Sequence, residues 1–364
     1  MKIEHVELRQ LSVPLRAPFH TPHGTVTDKR LTLVSLWSGG LRGTAESVAL
    51  SAPSYTGETQ ESVWHILRDF IAPALVGAEF ADPGDFQKLF SWIRGNPMAL
   101  ATAECAVWDL ICRAEGISLR AALGGTRTRI PAGRSIGMNT PDMLAQIGRL
   151  MVQNYHKIKV KITPGNDEAV LAAIRSEFGD ELPLMADANS AYDGAAGLPS
   201  LDRFKLMMIE QPLAWNDLLL HADLQRQMQT PVCLDESITS LHDATLAIRL
   251  QACRIINLKI GRVGGLATAR AIHDLCHEHG IPVWCGGMFE LGIGRAFNLA
   301  ISSLPGFTLP GDTCPTETTF DRDIITHPLT IDKDGYMPVP TGPGSGVEPD
   351  EDAIASLTER KIRF

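Results

Sequence analysis

Five charged residues close five short apolar segments of the chain: Lys161, Asp187, Glu210, Asp235 and Lys259, at intervals of 26, 23, 25 and 24 residues. A single carboxylate at the end of a strand often caps the following helix. Lysines do not cap helix N-termini, and a buried strand does not carry charge without a partner. The regular interval therefore predicts that all five side chains meet in one small volume. Three carboxylates brought together repel unless a cation holds them. An all-oxygen, all-anionic ligand set favours a hard divalent ion, Mg2+ first and Mn2+ second, whereas zinc wants His or Cys. Asn189 and Glu236 follow the first and third acidic positions. Either could be a polar second shell around the ion, and either could equally be a loop or cap residue.

The lysines flank the acidic trio. Such an arrangement suits removal of a proton alpha to a carboxylate. The ion stabilises the enediolate as a Lewis acid, and a lysine takes the proton as general base, worth about 10²–10⁴-fold. Lys159 lies two residues before Lys161 on the same strand face. Its charge and the dry mouth are expected to lower the pKa of Lys161. Lys157 continues the alternation and is given no role.

These residues need elements to hold them. From about residue 130, short apolar strands alternate with amphipathic helices, a parallel βα pattern. Eight strands are predicted: 133–138, 157–162, 183–187, 206–210, 231–235, 255–259, 281–286 and about 306–312. Eight units over some 190 residues (about 130–330) suggest a closed barrel, whose active site lies at the C-terminal strand ends. Lys161 and Lys259 are then on strands two and six and face each other across the mouth. Upstream, 1–13, 31–37 and 43–48 read as an antiparallel sheet with a Gly39-Gly40 hairpin, and 14–29 as a long polar loop. Helices are predicted over about 57–76, 82–93 and 98–115, the last deeply buried and ending near Gly116. The fold class is α/β: a modified (β/α) TIM-type barrel over 129–330, an α+β capping domain over 1–128, and a segment 331–364 returning to it.

Composition excludes other classes. The chain has 364 residues, 44% hydrophobic and 21% charged, with net charge −9. That balance argues against nucleic acid or an anionic membrane as partner, and no apolar run is long enough to span a bilayer. The seven cysteines are scattered, without a CxxC pair, which fits reduced thiols in a cytoplasmic protein. His273, His277 and His279 end a helix and lack the HExxH pattern of a zinc site. No GxGxxG, GK[ST] or GxSxG motif occurs. Met207, Met208 and Trp284 read as core.

The motifs KVKITPGND (159–167), MADANSAY (185–192), IEQPL (209–213), CLDES (233–237), NLKIGRVGG (257–265) and GGMFELGIGRAFN (286–298) resemble the enolase superfamily, muconate-lactonizing subgroup. Within it the text is similar to the o-succinylbenzoate synthase/N-acylamino acid racemase family, over nearly the whole chain. The resemblance implies Asp187, Glu210 and Asp235 as Mg2+ ligands and Lys161 and Lys259 as the acid/base pair. It implies a dehydration started by Lys161, with Lys259 stabilising the enediolate, or racemisation using both lysines. Cap loops Phe19–Gly24 and about Ser51–Thr56, with Phe19 and Tyr55, would close over a small-molecule carboxylate. Ser135, Lys159, Asn189, Gly287 and Met288 match substrate-side positions, and Arg262 matches an arginine of members with racemase activity. A homo-oligomer, dimer or octamer, is implied. A dipeptide epimerase or muconate-type cycloisomerase is the alternative within the superfamily. A retired enzyme serving as a structural or binding protein is the alternative outside it.

Overall fold

The computed structural model describes residues 1–22 and 24–364. The N-terminal sheet is antiparallel and has four strands, three of them from the start of the chain and one from its end. Strands β1 (His5–Thr21), β2 (Gly24–Ser38) and β3 (Leu41–Glu46) are followed by short helices α1 (Gln60–Ile66), α2 (Ala72–Leu75) and α3 (Asp85–Leu89). Next come the long α4 (Pro97–Glu115) and the short α5 (Leu119–Leu123). Helix α4 packs its apolar faces on β2 and β3 and stops at Gly116, whose φ of 67° suits a residue without Cβ. The polar stretch 14–29 is not the loop its composition suggested. It continues the β1–β2 hairpin, with the pairing broken between Pro14 and Phe19 and resumed at Phe19 opposite Val26. Prolines cannot donate to a ladder and sit at such an irregularity. Of the cap loop expected over Phe19–Gly24, His23 lies outside the described residues.

The second sheet is parallel, seven strands in the order β11-β10-β9-β8-β7-β6-β5. They are β5 (Gly133–Ile136), β6 (Lys157–Lys161), β7 (Leu184–Asp187), β8 (Ile209–Glu210), β9 (Val232–Leu234), β10 (Ile255–Leu258) and β11 (Val283–Cys285). Between them run α6 (Met143–Val152), α7 (Asp167–Phe178), a 3-10 turn (Leu198–Phe204), α8 (Leu218–Gln227), α9 (Leu241–Leu250) and α10 (Leu266–Glu278). Helix α11 (Gly292–Ser302) follows β11. The eighth expected strand is absent. Segment 306–312, with Pro310 and Gly311, is irregular, yet it fills the gap between the sheet edges. Gly306 accepts from the Val283 amide, Asp312 donates to the Cys285 carbonyl, and Gly311 accepts from the Gly133 amide. The ring is thus closed by single hydrogen bonds instead of a ladder.

After a short ladder of β4 (Arg129–Pro131) with β12 (Tyr336–Pro338), the chain passes through α12 (Glu351–Leu357) into β13 (Thr358–Arg363). Strand β13 pairs with β1, placing the C-terminus on the N-terminal sheet. Two buried glutamates link the halves. Glu46 accepts from the amides of Leu291 and Gly294 at 2.8 Å each, at the start of α11. Glu104 accepts from the Leu266 and Ala267 amides at the start of α10. A side-chain oxygen there satisfies orphan amide donors of the first helical turn. No helix among the described residues is long and apolar enough to cross a membrane.

Candidate active site

Side chains alternate across each strand, so the strand-end residues and those two before them share the inner face of the ring. The lower layer is Met185, Met208, Cys233, Ile255 and Trp284, all buried. This is the core role read from Met208 and Trp284. The charged layer rests on it. Asp187 and Glu210 are directly paired across β7 and β8, and Lys161 and Asp187 across β6 and β7. All five strand-end residues are at most 7% exposed.

The charges neutralise one another locally. Lys161 Nζ donates to Asp187 Oδ2 at 2.6 Å and Asn189 Oδ1 at 2.5 Å. Asn189 Nδ2 donates to Glu236 Oε1 at 2.9 Å, which ties the loop after β7 to the residue after Asp235. Lys159 reaches Glu210 Oε2 at 3.1 Å, Asp187 Oδ2 at 3.4 Å and Asp312 Oδ2 at 2.6 Å. Burial opposes its charge, but these carboxylates outweigh burial and hold its pKa well above the ordinary value. Lys259 donates to Asp235 Oδ2 and to the Tyr55 hydroxyl, 2.8 Å each. Arg262 binds Asp235 Oδ1 and, at 2.7 Å, the same hydroxyl. Burial, with Asp187 and Asp235 nearby, pushes the Glu210 carboxyl up to about 8. Burial and Asp235 do the same for Glu236. Among the described residues no three His, Cys, Asp or Glu side chains converge on one point as metal ligands do. Each strand-end carboxylate is turned to an ammonium or guanidinium group, the nearest positive charge in a dry site.

Above this layer is a cavity of about 480 Å³. Lys159, Lys161, Asp187, Asn189 and Lys259 line it, with Ser135, Gly287, Met288, Phe19 and Tyr55. Glu210, Asp235, Glu236 and Arg262 are not in its lining. The Ser135 hydroxyl, on β5 opposite Lys159, has no hydrogen-bond partner among the described residues. Phe19 packs edge-on against Phe289, ring centres 5.3 Å apart, which joins the β1–β2 hairpin to the loop after β11. Met288 donates its amide to Glu290 at 2.8 Å.

Four contributors escaped the reading of the sequence. Lys157 is fully buried, 2.9 Å from Asp312 Oδ1 and 3.5 Å from the centre of the Trp284 ring. Asn257 donates to Glu210 Oε1 at 2.7 Å. The alternation K-x-K-x-K and the position two before Lys259 were signals for these two. Asp312 and Gly286 offered none, because their partners lie on other strands, far away in the sequence. A Cβ on Gly286 would sit 2.4 Å from Lys259 Cε, so only glycine leaves that lysine its place.

A closed ring of parallel strands with acids and lysines at one mouth, covered by an α+β cap, defines the class. Two family descriptions match: "Mandelate racemase / muconate lactonizing enzyme, N-terminal domain" over residues 3–124 and "Enolase C-terminal domain-like" over 142–353. The chain belongs to the enolase superfamily. It is 49% identical to an o-succinylbenzoate synthase of Geobacillus stearothermophilus, over 99% of this chain and 96% of that protein. It is 44% identical to an N-succinylamino acid racemase of Amycolatopsis sp, over 100% and 99%. A solved enolase-superfamily structure from Listeria innocua superposes with a TM-score of 0.95 at 38% identity, covering 100% of this chain and 98% of that one.

Proposed function

We propose that the chain removes a proton alpha to a carboxylate, acting as an o-succinylbenzoate synthase and as an N-succinyl or N-acylamino acid racemase. The observation that carries this is the placement of Lys161 and Lys259 at strand ends four positions apart in the sheet, both lining one cavity. Relatives of both names at 44–49% identity over essentially the whole chain support the pair of reactions.

Asp187, Glu210 and Asp235 would hold a divalent ion, Mg2+ or Mn2+. Their all-oxygen donor set suits a hard cation, and the buried Oε2 of Glu236, without a hydrogen-bond partner among the described residues, adds a further oxygen beside Asp235. Such an ion supplies Lewis-acid polarisation of the substrate carboxylate. Lys161 takes the α proton, and Lys259 holds charge on the opposite side or returns a proton there. Phe19 and Tyr55 exclude water from the cavity, and Ser135 Oγ offers a hydrogen bond to the acyl group. In this reading residues 1–128 and 331–364 form the cap and 129–330 the catalytic barrel.

The test is one preparation assayed with Mg2+ on the cyclohexadiene precursor of o-succinylbenzoate and on N-succinylamino acids in deuterated water. Lys161→Ala abolishes both reactions, and Lys259→Ala abolishes racemisation. Chelation stops both, and added Mg2+ restores them. A preparation that turns over neither substrate, or a Lys161→Ala variant that dehydrates at the wild-type rate, overturns the assignment.

A further inference from the structure

One nucleophile on the cavity wall has no part in this chemistry. Cys314, just beyond the segment that closes the ring, is 3% exposed and lines the cavity. Its sulfur is within 3.2 Å of Arg134 Nη1, 3.5 Å of Arg295 Nη1 and 3.2 Å of Thr318 Oγ1. Both arginines line the same cavity. Arg134 is fixed by Thr318 and Thr319, and Arg295 by the carbonyl of Cys314 itself. Arg295 is 4% exposed, and its Nε donates to nothing among the described residues, so a buried guanidinium on this wall has a donor to spare.

Two guanidinium groups and a hydroxyl on one sulfur stabilise a thiolate, the nucleophilic form of cysteine. The other six thiols are buried and pushed up by burial. For Cys314 burial also works against ionisation, but Arg134 and Arg295 outweigh it and the shift is downward.

We propose that Cys314 is a covalent modification site: a sulfur set between Arg134 and Arg295 in the cavity wall, which captures small soft electrophiles and thereby obstructs the cavity. With an iodoacetyl reagent the sulfur attacks the methylene carbon, an S–C bond forms, the C–I bond breaks, and iodide leaves with the electron pair. An anionic reagent is drawn in by the same guanidinium groups.

The experiment treats the native protein at pH 7 with iodoacetamide and, separately, iodoacetate, followed by peptide mass mapping. The expected first adduct is on Cys314, formed about tenfold or more faster than on any other cysteine. The rate ratio of iodoacetate to iodoacetamide is expected to exceed that of free cysteine. Arg134→Gln is expected to slow the labelling and lower that ratio. A first adduct at another cysteine, no adduct without denaturant, or an Arg134→Gln rate equal to wild type overturns the proposal. These readouts use no turnover, so they stand or fall apart from the function proposed above.

Discussion

Tyr55 shows how much one side chain can organise. Its hydroxyl lies 3.1 Å from both Asp235 oxygens and accepts from Lys259 and Arg262. The Lys259 ammonium also sits 4.5 Å from the ring centre. Tyr55→Phe keeps the ring and removes the oxygen that holds two cations and one carboxylate in register. Hydrogen bonds to charged groups contribute about 1.5–3 kcal/mol each, so kcat/KM for racemisation is expected to fall about 10- to 100-fold. Dehydration, which in the proposed scheme starts at Lys161, should fall less. Steady-state kinetics on both substrates checks this, and equal losses would show that Tyr55 does not act through Lys259. The five strand-end residues were legible because their spacing repeats along the chain. Gly286 and Asp312 were not, since each matters only through a side chain on another strand, far away in the sequence.

At the scale of elements, the helix starts decide how the halves meet. Gly265 precedes α10 with φ +126°, and a Cβ there would lie 2.0 Å from Glu104 Oε2. Gly265→Ala therefore strains the backbone and displaces the carboxylate from two buried amides. The expected loss is about 2–4 kcal/mol, read as a lower urea midpoint with unchanged slope. An unaltered midpoint would mean that Glu104 does not anchor α10. Two elements differ from the pattern of the sequence. Segment 14–29 looked like a loop because Pro14, Pro18 and its polar residues carry no alternation. Its strand form comes from pairing across the hairpin, which is a property of two segments together. The eighth strand failed for the opposite reason: a strand-like apolar text, interrupted by Pro310 and Gly311, offers too few donors for a ladder.

For the whole molecule, the buried Glu46 makes the junction pH-sensitive. Burial and the neighbouring Glu290 push its carboxyl up to about 8, against an unfolded value near 4.5. Below pH 4.5 both states hold the proton and nothing is lost. As pH rises from 4.5 to 8 the unfolded chain gives up its proton first, so stability declines across that window. Lys29, lowered to about 8 by burial, acts above it: between pH 8 and 10.5 the unfolded chain binds the extra proton and stability gains. Glu46→Gln keeps an oxygen for Leu291 and Gly294 but cannot ionise. Relative to wild type it should gain on the order of 5 kcal/mol between pH 4.5 and 8. Urea unfolding at several pH values tests this, and parallel curves would refute it.

The order of acids and lysines, their spacing of one strand and helix each, and the barrel they require are all written along the chain, because a periodic fold repeats its functional position at a fixed interval. Which cation each carboxylate faces, how Tyr55 and Arg262 reach Asp235, and how Cys314 comes to lie between two arginines were decided only in three dimensions. Those contacts join residues as many as 207 positions apart, and nothing in local periodicity specifies which distant side chains a closed ring brings face to face.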